Sequence, residues 1–162
     1  MADLITTIQD AIVTKLAELD ADQEGGYLRR RAAFNGTGLA DIIRQLELRT
    51  PAVVVSFKDV DVASGMFVRG DDLTLRFSLW CASSNLRGQE SGAQGSGVAG
   101  EEPGAFQLTE DAIKCLRQFR ATYGGRQTLG VVFSAAEWLP SDGGIAVVRL
   151  DCAATIPQHD WE

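Results

Sequence analysis

The chain has 162 residues, of which 45% are hydrophobic, and a formal net charge of −7 at pH 7. This length suffices for one domain with a single core, which buries about 70% of the unfolded chain's surface. The acidic balance argues against a general affinity for nucleic-acid phosphates, which only a local basic patch would override. No run approaches the ~18 apolar residues of a membrane helix, and the acidic start MADLITTIQD is unlike a signal peptide, so we expect neither feature.

The three cysteines, Cys81, Cys115 and Cys152, are widely spaced and lie within apolar patterns. An odd number of such residues is not typical of a disulfide framework, and no two of them form a C-x-x-C metal motif. The sequence therefore predicts reduced thiols in the core of a protein made in a cytoplasm.

The first predicted element is a helix over residues 3–20. Apolar residues recur there at steps of three and four, which places them on one stripe: Ile5, Ile8, Ile12, Leu16 and Leu19. Residues 27–38 have no clean period and contain the turn-like NGTG. We therefore predict an irregular connection there, followed by a helical turn from Leu39 to Leu46.

Three strands are predicted next. The β-branched run PAVVVSF, opened by Pro51, favours a strand, and KDVDVASG leads from it towards a turn at Gly65. Two further strands are joined through RGDD. The second of these, LTLRFSLWC, alternates apolar and polar residues up to Cys81, which is the period of a half-buried strand.

The stretch that follows contains the pattern G-x-G-x-x-G, formed by Gly95, Gly97 and Gly100. A dinucleotide-binding loop of this pattern must turn directly from a strand into a helix. Here the strand is predicted to end near Cys81 and the next helix to begin near Thr109. The composition instead predicts a flexible loop over about residues 84–106, and we expect no bound cofactor.

A second helix is predicted over LTEDAIKCLRQFRATYGG, residues 108–125. Thr109 suits the N-cap, Leu108 and Ile113 have the spacing of a hydrophobic staple, and Gly124-Gly125 would end the helix. Its buried stripe is predicted to comprise Ile113, Leu116, Phe119 and Tyr123.

Two closing strands, LGVVFSAAEWLP and GIAVVRLDCAATIP, are predicted to be joined by the turn PSDGG. In the second strand alternate residues from Ala146 to Ile156 are apolar, so that face must lie on a core. Together the elements predict an α+β fold. We expect a mostly antiparallel sheet of about five strands with two main helices packed on one face.

Few residues offer enzyme chemistry. His159 is the only histidine and lies three residues from the C-terminus, so a triad or multi-histidine metal site would have to be built around a tail. Cys115 could act as a nucleophile beside it, but its place on or near an apolar helical stripe favours core packing. Two acidic pairs could bind a hard cation, although turn residues beside them favour solvated turns: Asp59 with Asp61, and Asp71 with Asp72. We expect no catalytic and no metal site.

The basic cluster Arg29-Arg30-Arg31 is a candidate for contact with a partner. A solvated loop is the simplest interpretation, contact with an acidic protein surface comes next, and contact with DNA comes last. The three tryptophans are interpreted as core or interface anchors because no basic strand face accompanies them: Trp80, Trp138 and Trp161.

Several segments together resemble the Mu-like phage tail terminator family. They are LITTIQDAIVTKLAEL, RTPAVVVSF, LTLRFSLWCASSNLRG, LTEDAIKCLRQF and AVVRLDCAATIP, and the resemblance covers the chain from about Asp3 to Pro157. It implies one tail-terminator-like domain over residues 1–162, with a short acidic C-terminal tail at residues 157–162. No catalytic residue is carried over, so the implied role is structural rather than enzymatic.

The resemblance implies a hexameric ring that caps the completed tail tube, stops its polymerisation and offers a surface for joining to the head. Implied partners are further copies of the chain, the tail tube protein, sheath or head-tail connector proteins, and double-stranded DNA that passes through without sequence-specific binding. The implied location is the virion tail, assembled in the bacterial host cytoplasm. Candidate contact residues are Arg29, Arg30, Arg31, Arg87, Glu101 and Glu102. The alternatives are another phage neck or baseplate adaptor and, less favoured, a small carboxylate- or thiol-dependent enzyme.

Overall fold

The computed structural model describes residues 3–35, 38, 40–42, 44, 50–62, 72–84, 104–139 and 145–157. Its elements are α1 (Leu4–Lys15), a 3-10 helix (Leu16–Leu19), β1 (Arg30–Ala33), β2 (Ala52–Val62), β3 (Leu73–Ser84), α2 (Ala105–Leu116), β4 (Thr122–Tyr123), β5 (Arg126–Gln127), β6 (Val132–Leu139) and β7 (Ile145–Ile156). Five strands form one sheet in the order β1-β2-β3-β7-β6, and β4 and β5 form a separate two-stranded ribbon.

Every neighbouring pair in the five-stranded sheet is antiparallel except β1 and β2, which run parallel. The predicted α+β fold with a mostly antiparallel sheet is confirmed. The predicted strand before RGDD falls on residues 63–71, which lie outside the described residues. The two closing strands are confirmed as β6 and β7, which pair antiparallel, and the predicted turn PSDGG between them lies outside the described residues.

The short strand β1 shows that the predicted irregular connection over residues 27–38 was wrong. Residues 30–33 pair in register with residues 52–55, and the Phe34 N–H donates to the Val55 carbonyl at 2.9 Å. A four-residue strand at a sheet edge can be held by main-chain hydrogen bonds to its one neighbour. It therefore needs no apolar alternation, which is the signal that sequence reasoning uses.

Helix α1 and its 3-10 extension confirm the predicted helix over residues 3–20. The Asp3 carboxylate caps the helix by accepting the Thr6 N–H at 2.8 Å. Three residues of the predicted stripe are completely buried: Ile8, Ile12 and Leu16. They pack in one core cluster with residues of α2 and of the sheet, among them Leu108, Leu116, Phe77 and Leu150. Both helices therefore cover the same face of the sheet.

Helix α2 begins earlier than predicted. Its N-cap is Gly104, and Thr109 lies buried inside the helix, where its hydroxyl donates to the Ala105 carbonyl at 2.7 Å. Thr109 is therefore not the N-cap, and the proposed staple of Leu108 with Ile113 is wrong. Because the hydroxyl forms its hydrogen bond with the preceding turn, the helix can continue through threonine, a residue type that usually favours helix starts.

Helix α2 also ends earlier than predicted, at Leu116. Gln118 adopts a positive φ of 62°, which turns the backbone out of the helix. The chain then forms the β4–β5 hairpin, in which Tyr123 is buried and Gly124-Gly125 make the turn with positive φ values. These glycines mark a hairpin and not a helix end.

The predicted loop at 84–106 overlaps the neighbouring elements at both ends, because Ser84 still belongs to β3 and Ala105 already belongs to α2. Residues 85–103, which include the G-x-G-x-x-G pattern, lie outside the described residues. Strand β2 likewise continues through KDVDV to Val62, whereas the sequence predicted that this segment leaves the strand.

The opposite face of the sheet carries a smaller apolar cluster. Its members include Val54, Trp80 and Val147, and Ile42 packs against them. Residues 40–42 and 44 are helical, in agreement with the predicted helical turn at 39–46. Within the described ranges, no helix is long and apolar enough to cross a membrane.

Candidate assembly surfaces

The two outer strands of the sheet, β1 and β6, are its open edges. Among the described residues no strand lies outside either of them. Edge strands present main-chain donors and acceptors that can pair with a further strand. The pairing directions show that β6 runs antiparallel to β1 across the sheet.

The β6 side carries a surface that we name the aromatic edge, formed by Phe106 of α2 with Ala136 and Trp138 of β6. Trp138 is 42% exposed and Phe106 is 40% exposed. Their rings stand edge to face with centroids 6.2 Å apart, which is a favourable aromatic geometry. The sequence of β6, VFSAAEWL, contains one charged residue and no proline. It therefore lacks the lysines and prolines that commonly protect an edge from association.

The β1 side carries a concavity that we name the arginine recess, lined by residues 20–22 and 28–31, with a volume of about 450 Å³. Asp20 pairs with Leu28 as an isolated bridge, which brings this segment beside the start of β1. The Arg31 Nε lies 3.1 Å from each carboxylate oxygen of Asp20, and its Nη1 donates to the Val13 carbonyl at 3.4 Å. The Arg29 side chain is exposed and forms no ion pair within the described part of the chain.

The structure brings three of the six predicted contact residues together. Arg29, Arg30 and Arg31 all line the arginine recess, at an edge strand rather than in the solvated loop that sequence favoured. The other three lie outside the described residues, as do three residues weighed for other roles: Arg87, Glu101, Glu102, Asp71, His159 and Trp161.

A polar network crosses the sheet face that α1 and α2 leave uncovered. Asp151 is 8% exposed, and it accepts a hydrogen bond from the Ser78 hydroxyl at 2.8 Å. The Lys58 ammonium lies 3.6 Å from this carboxylate, and the Arg149 Nε lies 3.5 Å from it. Arg149 also donates to Glu137 of β6 at 2.7 Å. The network thus links β2, β3, β7 and β6, and these contacts support a structural role.

Asp59 and Asp61 both lie in β2, so the expectation that they occupy a solvated turn was wrong. Asp59 forms an ion pair with Arg76 on the neighbouring strand. Across the described residues, no group of three or more His, Cys, Asp or Glu side chains is placed to hold a metal ion.

The thiols are free and poorly suited to nucleophilic chemistry. Burial raises the pKa of Cys81 and of Cys152 to about 12. Burial is also the main reason that the pKa of Cys115 rises to about 11, with a further contribution from the nearby Glu18 carboxylate. The Cys115 Sγ donates to the Lys15 carbonyl at 3.3 Å. Since the thiolate is the reactive form, these raised pKa values lower the reactivity of the thiols at neutral pH.

A second concavity, of about 530 Å³, lies between α1 and residues 119–122. Its charged residues at the α1 side, Lys15 and Glu18, pair with each other, and the Lys15 ammonium lies 5.8 Å from the centre of the Phe119 ring. The charges of Lys15 and Glu18 are therefore paired with each other, and Arg120 is a further charged residue of the lining.

Comparison with known proteins assigns the chain to a family. The family model described as "Bacteriophage Mu, Gp37" matches residues 4–131, which is most of the chain. The chain belongs to the bacteriophage Mu Gp37 family. The resemblance to a Mu-type phage family inferred from the sequence is thereby confirmed.

The Mu Gp37 family member also shares its fold with a solved structure. A chain from the structure titled "Virion of native gene transfer agent (GTA) particle" is 15% identical, with a TM-score of 0.56 over 97% of this chain and 99% of that chain. A search of curated proteins returns no match. The family is that of a bacteriophage protein, and the likeness to the virion chain shows that the two chains share a fold.

The sequence alone did not reveal two features at the edges of the five-stranded sheet. Phe106 was assigned to a loop, yet it lies in the first turn of α2 beside Trp138. Asp20 was assigned no role beyond standing at the end of the predicted helix over residues 3–20, yet its carboxylate binds the Arg31 guanidinium in the recess. For the aromatic edge, the available signal was the tryptophan in the strand segment AAEW, which we interpreted only as a core or interface anchor.

Proposed function

We propose that this protein is a tail terminator: six copies form a ring on the completed tail tube, stop its polymerisation and provide the surface for joining to the head. The observation that carries the proposal is the pair of unlike open edges on one sheet. An edge that fits a different edge of the next copy gives a heterologous contact, and such a contact closes a ring when it repeats around an axis. Membership of a Mu phage family supports the same conclusion.

The proposal assigns no enzymatic activity to the chain. Its support is chemical: burial raises the pKa values of the thiols, and Lys15 and Glu18 in the second concavity form an ion pair with each other. Function then depends on shape and on contacts between copies, within a single domain located in the virion tail.

The proposed partners are the tail tube protein, sheath or head-tail connector proteins, and DNA that passes through the ring. The chain carries a net charge of −7. Acidic walls would repel phosphates and so favour sliding of the DNA over binding. A ring whose acidic side chains all lay on the outside would contradict this part of the proposal.

A tube-growth experiment tests the proposal. Tail tube protein from the same phage is polymerised with increasing amounts of this protein, and tube lengths are measured by electron microscopy. We expect growth to stop and one end of each tube to carry a cap. Unchanged, uncapped tubes together with binding to neck or baseplate proteins would favour the adaptor alternative.

A further inference from the structure

Four sets of directly paired residues, which we call rungs, cross the whole sheet from β1 to β6. One rung connects Arg31 of β1 with Trp138 of β6 through Val53, Cys81 and Val148. The adjacent rungs connect Arg30 with Leu139, Ala32 with Glu137, and Ala33 with Ala136. The four residues of β1 are therefore level with the last four residues of β6.

The rung that ends at Trp138 begins at the arginine recess. Residues directly paired across neighbouring strands share a face of the sheet, and Val53 and Cys81 of this rung belong to the core cluster beneath the helices. Trp138 and Arg31 thus lie on the same face of the molecule, at the same height along the strands and at opposite edges.

We propose that residues 136–139 of β6 pair with residues 30–33 of β1 in the next copy of this chain, with Trp138 seated against the arginine recess. Since β6 and β1 run in opposite directions, two copies in the same orientation meet with antiparallel edges. Because the rungs are already level, the pairing needs no shift along the strands. The inference names the interface of the proposed ring and rests on that proposed function.

The chemistry of the two edges is complementary. A guanidinium group is attracted to the face of an indole ring, and the recess supplies the exposed Arg29 together with Arg31, which Asp20 holds in place. Contact between two β6 strands would instead bring two aromatic edges together and leave the recess empty. Such an isologous contact closes at two copies and cannot build a ring.

Engineered cysteines test the register between copies. In the proposed ladder, Ala33→Cys of one chain and Ala136→Cys of another stand directly opposite, about 4.5–5.5 Å apart between Cα atoms, which a disulfide can span. Both alanines are exposed. We expect a disulfide-linked dimer when the two single variants are mixed and oxidised, and none from either variant alone. Rapid dimerisation of Ala136→Cys alone would show β6–β6 pairing and overturn the proposal.

A matched control uses the same strand. Val132→Cys is also exposed and lies four residues before Ala136, so its mixture with Ala33→Cys should give no cross-link. Cross-linking in this control equal to that of the test pair would show random collision and would overturn the assigned register.

Side-chain variants test the two surfaces separately by light scattering. Trp138→Ala and Arg29→Glu should each remain monomeric, whereas Leu129→Ala, another exposed apolar residue, should associate like the wild type. An equimolar mixture of the first two should form a one-to-one dimer, because each supplies the edge that the other lacks. Normal association of either variant alone, or a wild type that stays monomeric at its highest soluble concentration, would overturn the proposal.

The double variant Ala33→Cys/Ala136→Cys separates this inference from the proposed function. Oxidation should give a ladder of covalent oligomers. A ladder that ends at a number other than six supports the edge pairing and contradicts the hexamer. The absence of a ladder from a double variant that still caps tubes contradicts the edge pairing and leaves the terminator function standing.

Discussion

The completely buried side chain of Gln9 provides a quantitative test of how α1 is held on the sheet. Its Nε2 donates to the Val55 carbonyl at 2.8 Å, while its Oε1 has no hydrogen-bond partner within the described part of the chain. An unpaired buried polar atom lowers the free energy of unfolding by about 1–3 kcal/mol, and the amide hydrogen bond raises it by about 0.5–1.5 kcal/mol. The Val55 carbonyl also accepts the Phe34 N–H, so it keeps a partner when Gln9 is replaced.

We therefore expect Gln9→Met to stabilise the protein by about 1 kcal/mol, the difference between these two contributions. Methionine has a similar volume and a similar helix propensity. In a chain of this size, the change corresponds to a rise in Tm of about 2–4 °C. The assay is urea unfolding, with the exposed Gln23→Met as control, which should shift stability by less than about 0.5 kcal/mol. A Gln9→Met variant that unfolds at lower urea than the wild type would refute the reasoning.

Four further predictions follow from other parts of the structure. Phe77→Ala empties a fully buried site and should cost about 3–5 kcal/mol of unfolding free energy in urea; a loss under 1 kcal/mol would contradict the described core. Tyr27→Phe removes a hydrogen bond to the Asp111 carboxylate and should cost about 1.5–3 kcal/mol at neutral pH. Burial, followed by that bond, raises the pKa of Tyr27 above its usual value, so its stabilising effect is complete below pH about 10 and declines at higher pH. The variant should accordingly show a weaker alkaline loss of stability, and an unchanged alkaline profile would argue against this cause. With a pKa of about 11, Cys115 at pH 8 should react with a thiol reagent about two hundredfold more slowly than free cysteine in a time course, and reaction at the free rate would contradict its burial. Deletion of residues 90–103 should leave Tm nearly unchanged but impair assembly, because this glycine-rich stretch offers too few apolar side chains to contribute to a core; a collapse of Tm would contradict this.

The sequence was informative where one local period decides the structure. Ile8, Ile12 and Leu16 predicted α1 because a helix buries residues that recur every three or four positions. The alternating residues of β3 and β7 predicted the two strands for the same kind of reason. The expected half-burial of β3 was wrong, because residues 77–83 are buried on both faces and a second apolar cluster covers the face away from the helices. These elements form most of the core cluster, so the fold class could be predicted from local patterns.

The errors have two physical causes. Strand β1 carries no apolar alternation because main-chain hydrogen bonds to β2 hold it at the edge. Helix α2 includes Thr109 because the hydroxyl bonds to the preceding turn, which removes the usual reason for threonine to stand at a helix start.

Only half of the candidate site could be predicted from the sequence. The arginines stood out because three cationic residues are adjacent in the sequence. Their alignment with Trp138 depends on the register of four successive strand pairs. Register over such separations is a property of the whole sheet, which no local pattern contains.

We propose that the chain acts by assembling into a closed ring at the end of a tail tube. Negative-stain electron microscopy of the purified protein, alone and mixed with tail tubes, tests this directly. We expect class averages with sixfold rotational symmetry at one end of each tube. Tubes that remain bare in the presence of excess protein, or ends that carry single copies without rotational symmetry, would contradict it.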